Sequence, residues 1–81
     1  MLYALSNQRR FARLGIIVGK RTVPHAVRRN AIKRLVREAF RLQQRELAGV
    51  DVLVRIRAEP DRAELIRLRS DLAGMFSALI K

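Results

Sequence analysis

The chain has 81 residues, which is enough for one small domain with a thin hydrophobic core. Lys and Arg number 18 against 7 Asp and Glu, giving a net charge of +11, and 49% of the residues are hydrophobic, which argues against a disordered basic tail. With no cysteine and one histidine, a disulfide scaffold, a thiolate zinc site and a cysteine nucleophile are excluded.

The positive charge is concentrated in the first part of the chain. Residues 1–48 hold twelve cations and two acids, whereas residues 49–81 hold six cations and five acids. Fifteen of the 18 cations are arginine, whose guanidinium suits bidentate contacts to phosphate. The charge pattern predicts a polyanionic partner that faces residues 1–48.

Two apolar segments near the N-terminus predict strands. Leu2–Leu5 is a short apolar run, and Arg13–Gly19 is rich in Ile and Val and bounded by glycine. The polar residues between them predict a turn. A helix is predicted over Ala26–Leu47, which contains no Gly or Pro, starts just after Pro24 and is followed by Gly49 in the place of a terminating glycine.

The second half predicts a strand and a further helix. Asp51–Arg57 alternates apolar and partly basic positions, as a strand with two different faces does. Asp61 and Glu64 have the spacing of a helix cap. The helix beyond them carries an apolar stripe of Leu65, Leu68, Leu72, Met75, Phe76 and Leu79. We expect an α+β two-layer sandwich in which both helices lie on one face of a small mixed sheet and the strands around the long helix are parallel.

The long helix is predicted to have two unlike faces. At 100° per residue its apolar arc holds Ile32, Leu35, Val36, Ala39 and Leu42, and the opposite arc holds Asn30, Lys33, Arg34, Arg37 and Arg41. Arg29 flanks the basic arc, while Arg28 lies on the core side. Cations three and four residues apart repel one another, and only Glu38 is near enough to offset them. A phosphate backbone would reward this arrangement. The alternatives are a solvated helix face and, disfavoured because the apolar face is needed for the core, a helix lying on an anionic membrane.

Neither a membrane segment nor a protein-borne catalytic site is predicted. The longest apolar stretch, Leu14–Gly19, is far shorter than the ~20 residues that span a bilayer, and the N-terminus lacks a basic signal region, so we expect a cytoplasmic protein. His25 is interpreted as a residue at the helix start rather than a catalyst, and the acids show no paired spacing for general acid–base chemistry. No metal site is expected on the protein.

Two segments carry a family resemblance. Arg13–Arg21 is a strand that ends in a small residue and two cations, and Ala26–Arg41 contains the run Arg-Asn-Ala-Ile-Lys-Arg-Leu-Val-Arg-Glu-Ala-Phe-Arg. Both resemble the bacterial ribonuclease P protein component, and the resemblance covers nearly the whole chain. It implies the protein subunit of an RNA-based endonuclease that removes the 5′ leader from precursor tRNA, with the active site and its magnesium ions on the RNA subunit and no cofactor bound by the protein alone. It also implies a left-handed strand–helix–strand crossover, of the type found in the second domain of a small-subunit ribosomal protein.

The chain departs from the family pattern in two places. Ala31 stands where the family usually has a basic residue, although it lies off the basic arc. The chain also begins inside what resembles the family's second strand, so we expect one RNA-binding domain over residues 1–81 that lacks the family's first helix and first strand. Since that helix forms one wall of the leader-binding cleft, leader binding is expected to be affected more than binding to the RNA subunit.

Two sets of site residues follow from the arc and the resemblance. The predicted contacts to the RNA subunit are Lys20, Arg21, Arg28, Arg29, Asn30, Lys33, Arg34, Arg37 and Arg41. The predicted contacts to the leader are Tyr3, Arg13, Arg55 and Arg57. For Tyr3, packing in the core remains open beside stacking on a base. For Asn30, a bond to nearby backbone remains open beside one to a base edge or a 2′-OH. The sheet arginines could equally serve solubility.

Two other functions remain open at this point. A generic structured-RNA-binding or ribosome-associated protein would bind many RNAs equally and have no role in tRNA maturation. A DNA-binding helix-turn-helix is disfavoured because no short helix precedes the basic one. We expect a monomer whose exposed sheet face could promote self-association.

Overall fold

The structure, a computed structural model, describes residues 2–80, and within them three strands and two helices follow one another in the predicted order. They are β1 (Leu2–Ser6), β2 (Arg13–Val18), α1 (Ala26–Gln43), β3 (Val50–Ile56) and α2 (Arg62–Ala78). No helix within this part of the chain is long and apolar enough to cross a membrane.

The three strands form one mixed sheet with β3 at its centre. The order is β1-β3-β2, with β1 antiparallel to β3 and β2 parallel to it. Val54 of β3 lies opposite Leu2 of β1 and Ile16 of β2. The parallel pair β2–β3 is joined through α1, which confirms the predicted strand–helix–strand unit.

Both helices cover the same face of the sheet. Val52 and Val54 alternate with outward residues along β3, and each is only 2% exposed. The core that they share with the helices also contains Val23, Ile32, Val36, Ala39, Phe40, Leu47, Leu72 and Phe76. The rings of Phe40 and Phe76 meet edge to face with centroids 6.0 Å apart, joining α1 to α2. The predicted two-layer α+β class is confirmed, and the second face of the sheet stays open.

The start of α2 is fixed as the sequence predicts. The Asp61 carboxylate accepts a hydrogen bond from the backbone N–H of Glu64 at 2.8 Å, and the Glu64 carboxylate accepts one from the N–H of Asp61 at 3.2 Å. This reciprocal pair satisfies two backbone donors that the first turn of a helix leaves free. Along the helix Leu72 and Phe76 are buried, but the prediction that Met75 belongs to the apolar stripe is wrong, since it is exposed.

The end of α1 differs from the prediction. The helix stops at Gln43 rather than Leu47, and residues 44–49 form turns. Leu47 is fully buried, so these turns fold its side chain into the core before the chain enters β3. Gly49 has a φ of +86°, but it lies in the turn before β3 and does not terminate the helix directly. The apolar pattern of the sequence runs past the end of the helix because Leu47, in the turns after it, packs into the core.

The buried side of α1 is rotated from the predicted arc. Phe40 is 7% exposed, whereas Leu42, which was predicted to lie in the core, is 58% exposed. These two residues occupy opposite margins of the apolar arc, and helical periodicity alone does not choose between them. The edge-to-face contact with Phe76 of α2 selects Phe40. The rotation leaves the predicted basic arc on the outward side and moves Arg28 out of the core side.

Candidate nucleic-acid interface

The outward side of α1 carries a band of positive charge, here called the basic stripe. Its members are Asn30, Lys33, Arg34, Arg37 and Arg41, of which all but the half-buried Lys33 are exposed. Among residues 2–80 none of these side chains finds an ion-pair or hydrogen-bond partner. Asn30 therefore does not satisfy nearby backbone, and the stripe presents four unneutralised cations on one helix face.

The acid expected to offset this charge is engaged elsewhere. The Glu38 carboxylate accepts from the guanidinium of Arg69 in α2 at 3.4 Å. An exposed pair at this distance contributes little to stability. It nevertheless directs Glu38 towards α2, so the stripe keeps its positive potential.

Arg28 and Arg29 are held by the protein itself. The Arg29 guanidinium donates to the carbonyl oxygens of Val23 and Pro24 at 2.9 and 2.8 Å, bracing the segment that leads into α1. Arg28, predicted on the core side, is exposed and forms an ion pair with Glu59 at 2.9 Å. That prediction is wrong because the buried arc is rotated, which turns Arg28 towards the loop before α2. Neither arginine belongs to the basic stripe.

Lys20 and Arg21 lie in the turn after β2. The turn is closed by the backbone N–H groups of Thr22 and Val23, which both donate to the Gly19 carbonyl. Both cations are exposed and precede the N-terminus of α1, whose first turn contains no acid. Since a helix N-terminus is itself electropositive, this end of α1 adds to the field of the stripe.

The face of the sheet opposite the helices, here called the open sheet face, carries the other predicted set. Tyr3 is 46% exposed there and lies in register with Leu53, so the alternative that placed it in the core is wrong. On the other side of Leu53 lies Gly15 of β2, and a Cβ added at Gly15 would come within 3.1 Å of the Leu53 side chain. Arg55 and Arg57 are exposed on and just beyond β3. The open sheet face therefore offers a half-exposed ring, whereas Arg55 and Arg57 line a groove between the end of β3 and α2.

Arg13, also predicted for the leader, is committed to an ion pair. Its guanidinium donates to both carboxylate oxygens of Asp51, at 2.7 and 2.5 Å, and the Asn7 amide donates to the same carboxylate at 2.8 Å. The hydrogen bonds from Arg13 and Asn7 lower the pKa of Asp51 to about 2, and Asp51 raises the pKa of Arg13. The sequence analysis did not find this three-residue network, because a turn asparagine carries no signal for a partner 44 residues away.

One groove of the described surface is lined by side chains of both charges. It has a volume of about 460 Å³, lies beside the end of β3 and the first half of α2, and includes Arg55, Arg57 and Arg67 together with Glu64 and Asp71. Within residues 2–80 no group of three or more His, Asp or Glu side chains lies together as metal ligands would. The basic stripe, by contrast, carries four cations and no acid.

These features define a small, strongly basic α+β protein with an uncompensated cationic helix suited to a polyanion such as RNA. Residues 1–79 match the family model described as Ribonuclease P. The chain belongs to the ribonuclease P protein family, which confirms the resemblance on which the sequence analysis relied.

Individual relatives and a solved structure agree with this assignment. The chain is 48% identical to the ribonuclease P protein component of Ralstonia pickettii over 94% of its own length and 59% of the relative's. It is 41% identical to that of Chromobacterium violaceum over 99% of its own length and 66% of the relative's. The RNase P protein from Thermotoga maritima has the same fold, with a TM-score of 0.78 and 30% identity over 91% of this chain and 73% of that one. The chain thus spans between half and two thirds of the length of these two curated relatives.

Proposed function

We propose that the chain is the protein subunit of ribonuclease P, which binds the RNA subunit through the basic stripe and assists removal of the 5′ leader from precursor tRNA. The observation that carries the proposal is a family match over residues 1–79 in a chain whose α1 presents four cations that have no partner among residues 2–80. A folded protein gains nothing from like charges three and four residues apart, whereas a phosphate backbone gives each of them a partner.

The stripe suits contacts to phosphate and sugar more than reading of sequence. Arg34, Arg37 and Arg41 project from one helix face, where guanidinium groups can bind successive phosphates bidentately. Asn30 adds one amide able to bond a base edge or a 2′-OH. Binding of this kind fixes the position of the protein on a structured RNA and carries a strong salt dependence.

The open sheet face is the proposed surface for the leader. Tyr3 offers a half-exposed ring, and a single-stranded leader has unpaired bases that stack on aromatic side chains. Arg55 and Arg57, exposed at the end of β3, are proposed to bind its phosphates. Arg13 contributes less than predicted, because Asp51 already neutralises it. We further propose that the bond cleavage and its magnesium ions belong to the RNA partner, and that this chain supplies binding and positioning.

Cleavage of a precursor tRNA by a bacterial ribonuclease P RNA at low magnesium, with and without this chain, tests the proposal. We expect the chain to stimulate release of the leader. Tight, salt-sensitive binding to the RNA subunit without stimulation would overturn the role of the open sheet face but keep that of the stripe. Equal binding to unrelated structured RNAs without stimulation would replace the proposal with a generic RNA-binding function.

A further inference from the structure

The loop between β1 and β2 presents an aromatic side chain that the proposed function does not use. Phe11 is 54% exposed in this loop, and the guanidinium carbon of Arg9 lies over its ring, 5.8 Å from the centroid. Arg10, the residue between them, is exposed. Phe11 lies outside both the basic stripe and the four predicted leader contacts, and it is absent from the shared core.

The backbone around Phe11 is fixed by Asn7. The Asn7 amide group donates to the Phe11 carbonyl at 3.1 Å and to the Asp51 carboxylate at 2.8 Å, while its oxygen accepts from the N–H of Arg9 at 2.8 Å. Because Asp51 is itself held by Arg13, one side chain ties the loop to both β2 and β3. The Asn7 side chain thus makes three hydrogen bonds that hold the loop in place.

Gly49 provides the second anchor from the far side of the loop. Its N–H donates to the Phe11 carbonyl at 3.3 Å, and its carbonyl accepts from the N–H of Asn7 at 2.9 Å. Its φ of +86° favours glycine, and an added Cβ would lie 3.5 Å from the Arg9 carbonyl. The Phe11 carbonyl thus accepts two hydrogen bonds, which fixes the main chain that carries the ring.

We propose that Phe11 is a stacking site for one unpaired nucleobase of RNA, with Arg9 behind the ring and Arg10 available to the adjoining phosphate. Arg9 lies over one face of the ring, so a base would stack on the other and complete an Arg–Phe–base sandwich. Since the loop is ordered before RNA arrives, little conformational entropy is lost on binding. The inference rests on the proposed function insofar as the chain binds RNA, and it adds a contact that the family match does not assign.

The nucleobase could come from the RNA subunit or from the leader, and Phe11→Leu distinguishes these sources. Leucine keeps an apolar side chain and every backbone hydrogen bond of the loop but removes the ring. Ile66→Ala, which trims an apolar side chain that is 72% exposed on α2, is the matched control. Thermal unfolding of both variants verifies that they fold as the unaltered chain does.

Two quantities are measured for each variant. The first is the dissociation constant for the RNA subunit alone. The second is the dissociation constant for precursor tRNA divided by that for mature tRNA, both measured with the assembled complex. We expect Phe11→Leu to weaken one of them by about fivefold or more, the lower end of base–aromatic stacking. Loss in the first assigns the base to the RNA subunit, and loss only in the second assigns it to the leader. Both constants unchanged, with Ile66→Ala also silent, would overturn the inference.

Asn7→Ala tests whether the anchored loop matters. If Asn7 acts by positioning the ring, its removal weakens the same dissociation constant as Phe11→Leu, and the double variant loses little more than Phe11→Leu alone. Photocrosslinking of RNA that carries 4-thiouridine supplies a second readout, because a stacked base crosslinks to residues 9–11 in the unaltered chain and less in either variant. Absence of any crosslink at residues 9–11 would contradict the inference. If the chain still stimulates cleavage in that case, the proposed function stands.

Discussion

The basic stripe of α1 and the open sheet face offer nucleic acid two different kinds of contact. On α1 Arg34, Arg37 and Arg41 have no partner among residues 2–80, and the helix exposes them in one line. On the sheet Arg13 is held by Asp51, whose carboxylate also accepts from Asn7, and the ring of Tyr3 is half-exposed on the same face. The stripe offers unpaired cations for ionic contacts, whereas the sheet combines an aromatic side chain with an arginine whose charge Asp51 already neutralises.

The difference teaches that a cation count overstates what a surface offers a polyanion. Arg13, Arg28 and Arg29 are all predicted contacts, yet each is bound to a carboxylate or to backbone carbonyls. A partner occupies some of the five N–H donors of an arginine, and a carboxylate partner also offsets its charge, so the net contribution of such an arginine to phosphate binding falls. We expect the stripe to dominate affinity and its salt dependence, and the sheet to contribute stacking.

The largest effect is expected from the residues that set the rotation of α1. Phe40→Ala removes a buried ring and its contact with Phe76, which costs about 3–5 kcal/mol in the free energy of unfolding. Leu42→Ala, at a position that is 58% exposed, should change it by about 0.5 kcal/mol or less. Urea denaturation measures both. Equal costs would mean that α1 also buries Leu42 and that Phe40 does not set its rotation.

Next in size is the loss of charge from the stripe. Arg34→Ala with Arg37→Ala should lower affinity for the RNA subunit on the order of tenfold at physiological salt, since each cation that binds a phosphate releases counterions. The log–log salt slope should fall by about one unit per arginine. Arg62→Ala at the start of α2 is the control for each single substitution, because it removes one positive charge outside the stripe. A double variant with an unchanged slope would show that the stripe faces solvent in the complex.

A smaller and more selective effect is expected on the open sheet face. Tyr3→Leu keeps an apolar side chain at the β1 position but removes the ring, so binding of precursor tRNA relative to mature tRNA should weaken about fivefold. Affinity for the RNA subunit alone should stay the same. Competition binding with tRNAs that carry and lack a leader gives both values. If the affinity for the RNA subunit falls instead, the sheet and the stripe bind the same RNA.

The smallest effect concerns pH and the pair that neutralises Arg13. The folded chain holds the pKa of Asp51 at about 2, below the ordinary value of 3.8. The stability gained is therefore complete above about pH 4 and is lost as the pH falls towards 2. Thermal unfolding of the unaltered chain should lose more stability across this range than that of Asp51→Asn. Parallel curves for the two proteins would show that the ion pair does not stabilise the fold.

Local patterns determined most of the elements of this protein. The alternation in β3, the cap at Asp61 and Glu64 and the long helix after Pro24 are each set by residues close in sequence, and the structure contains all three. The family motif is local in the same sense, because it lies in one strand and one helix. These features are predictable since backbone propensity and side-chain periodicity act over a few residues.

The sequence by itself therefore determined the order of the elements, the family and the presence of a basic helix face. Only the tertiary structure decided which side chains of α1 are buried and which arginines outside the basic stripe are paired within the protein. Contact with Phe76 selected Phe40 over Leu42 and rotated α1, and the turns of residues 44–49 folded Leu47 inward. Pairing of Arg13 with Asp51 and of Arg28 with Glu59 was decided in the same way. Such choices depend on side chains distant in sequence, whose meeting no local pattern encodes.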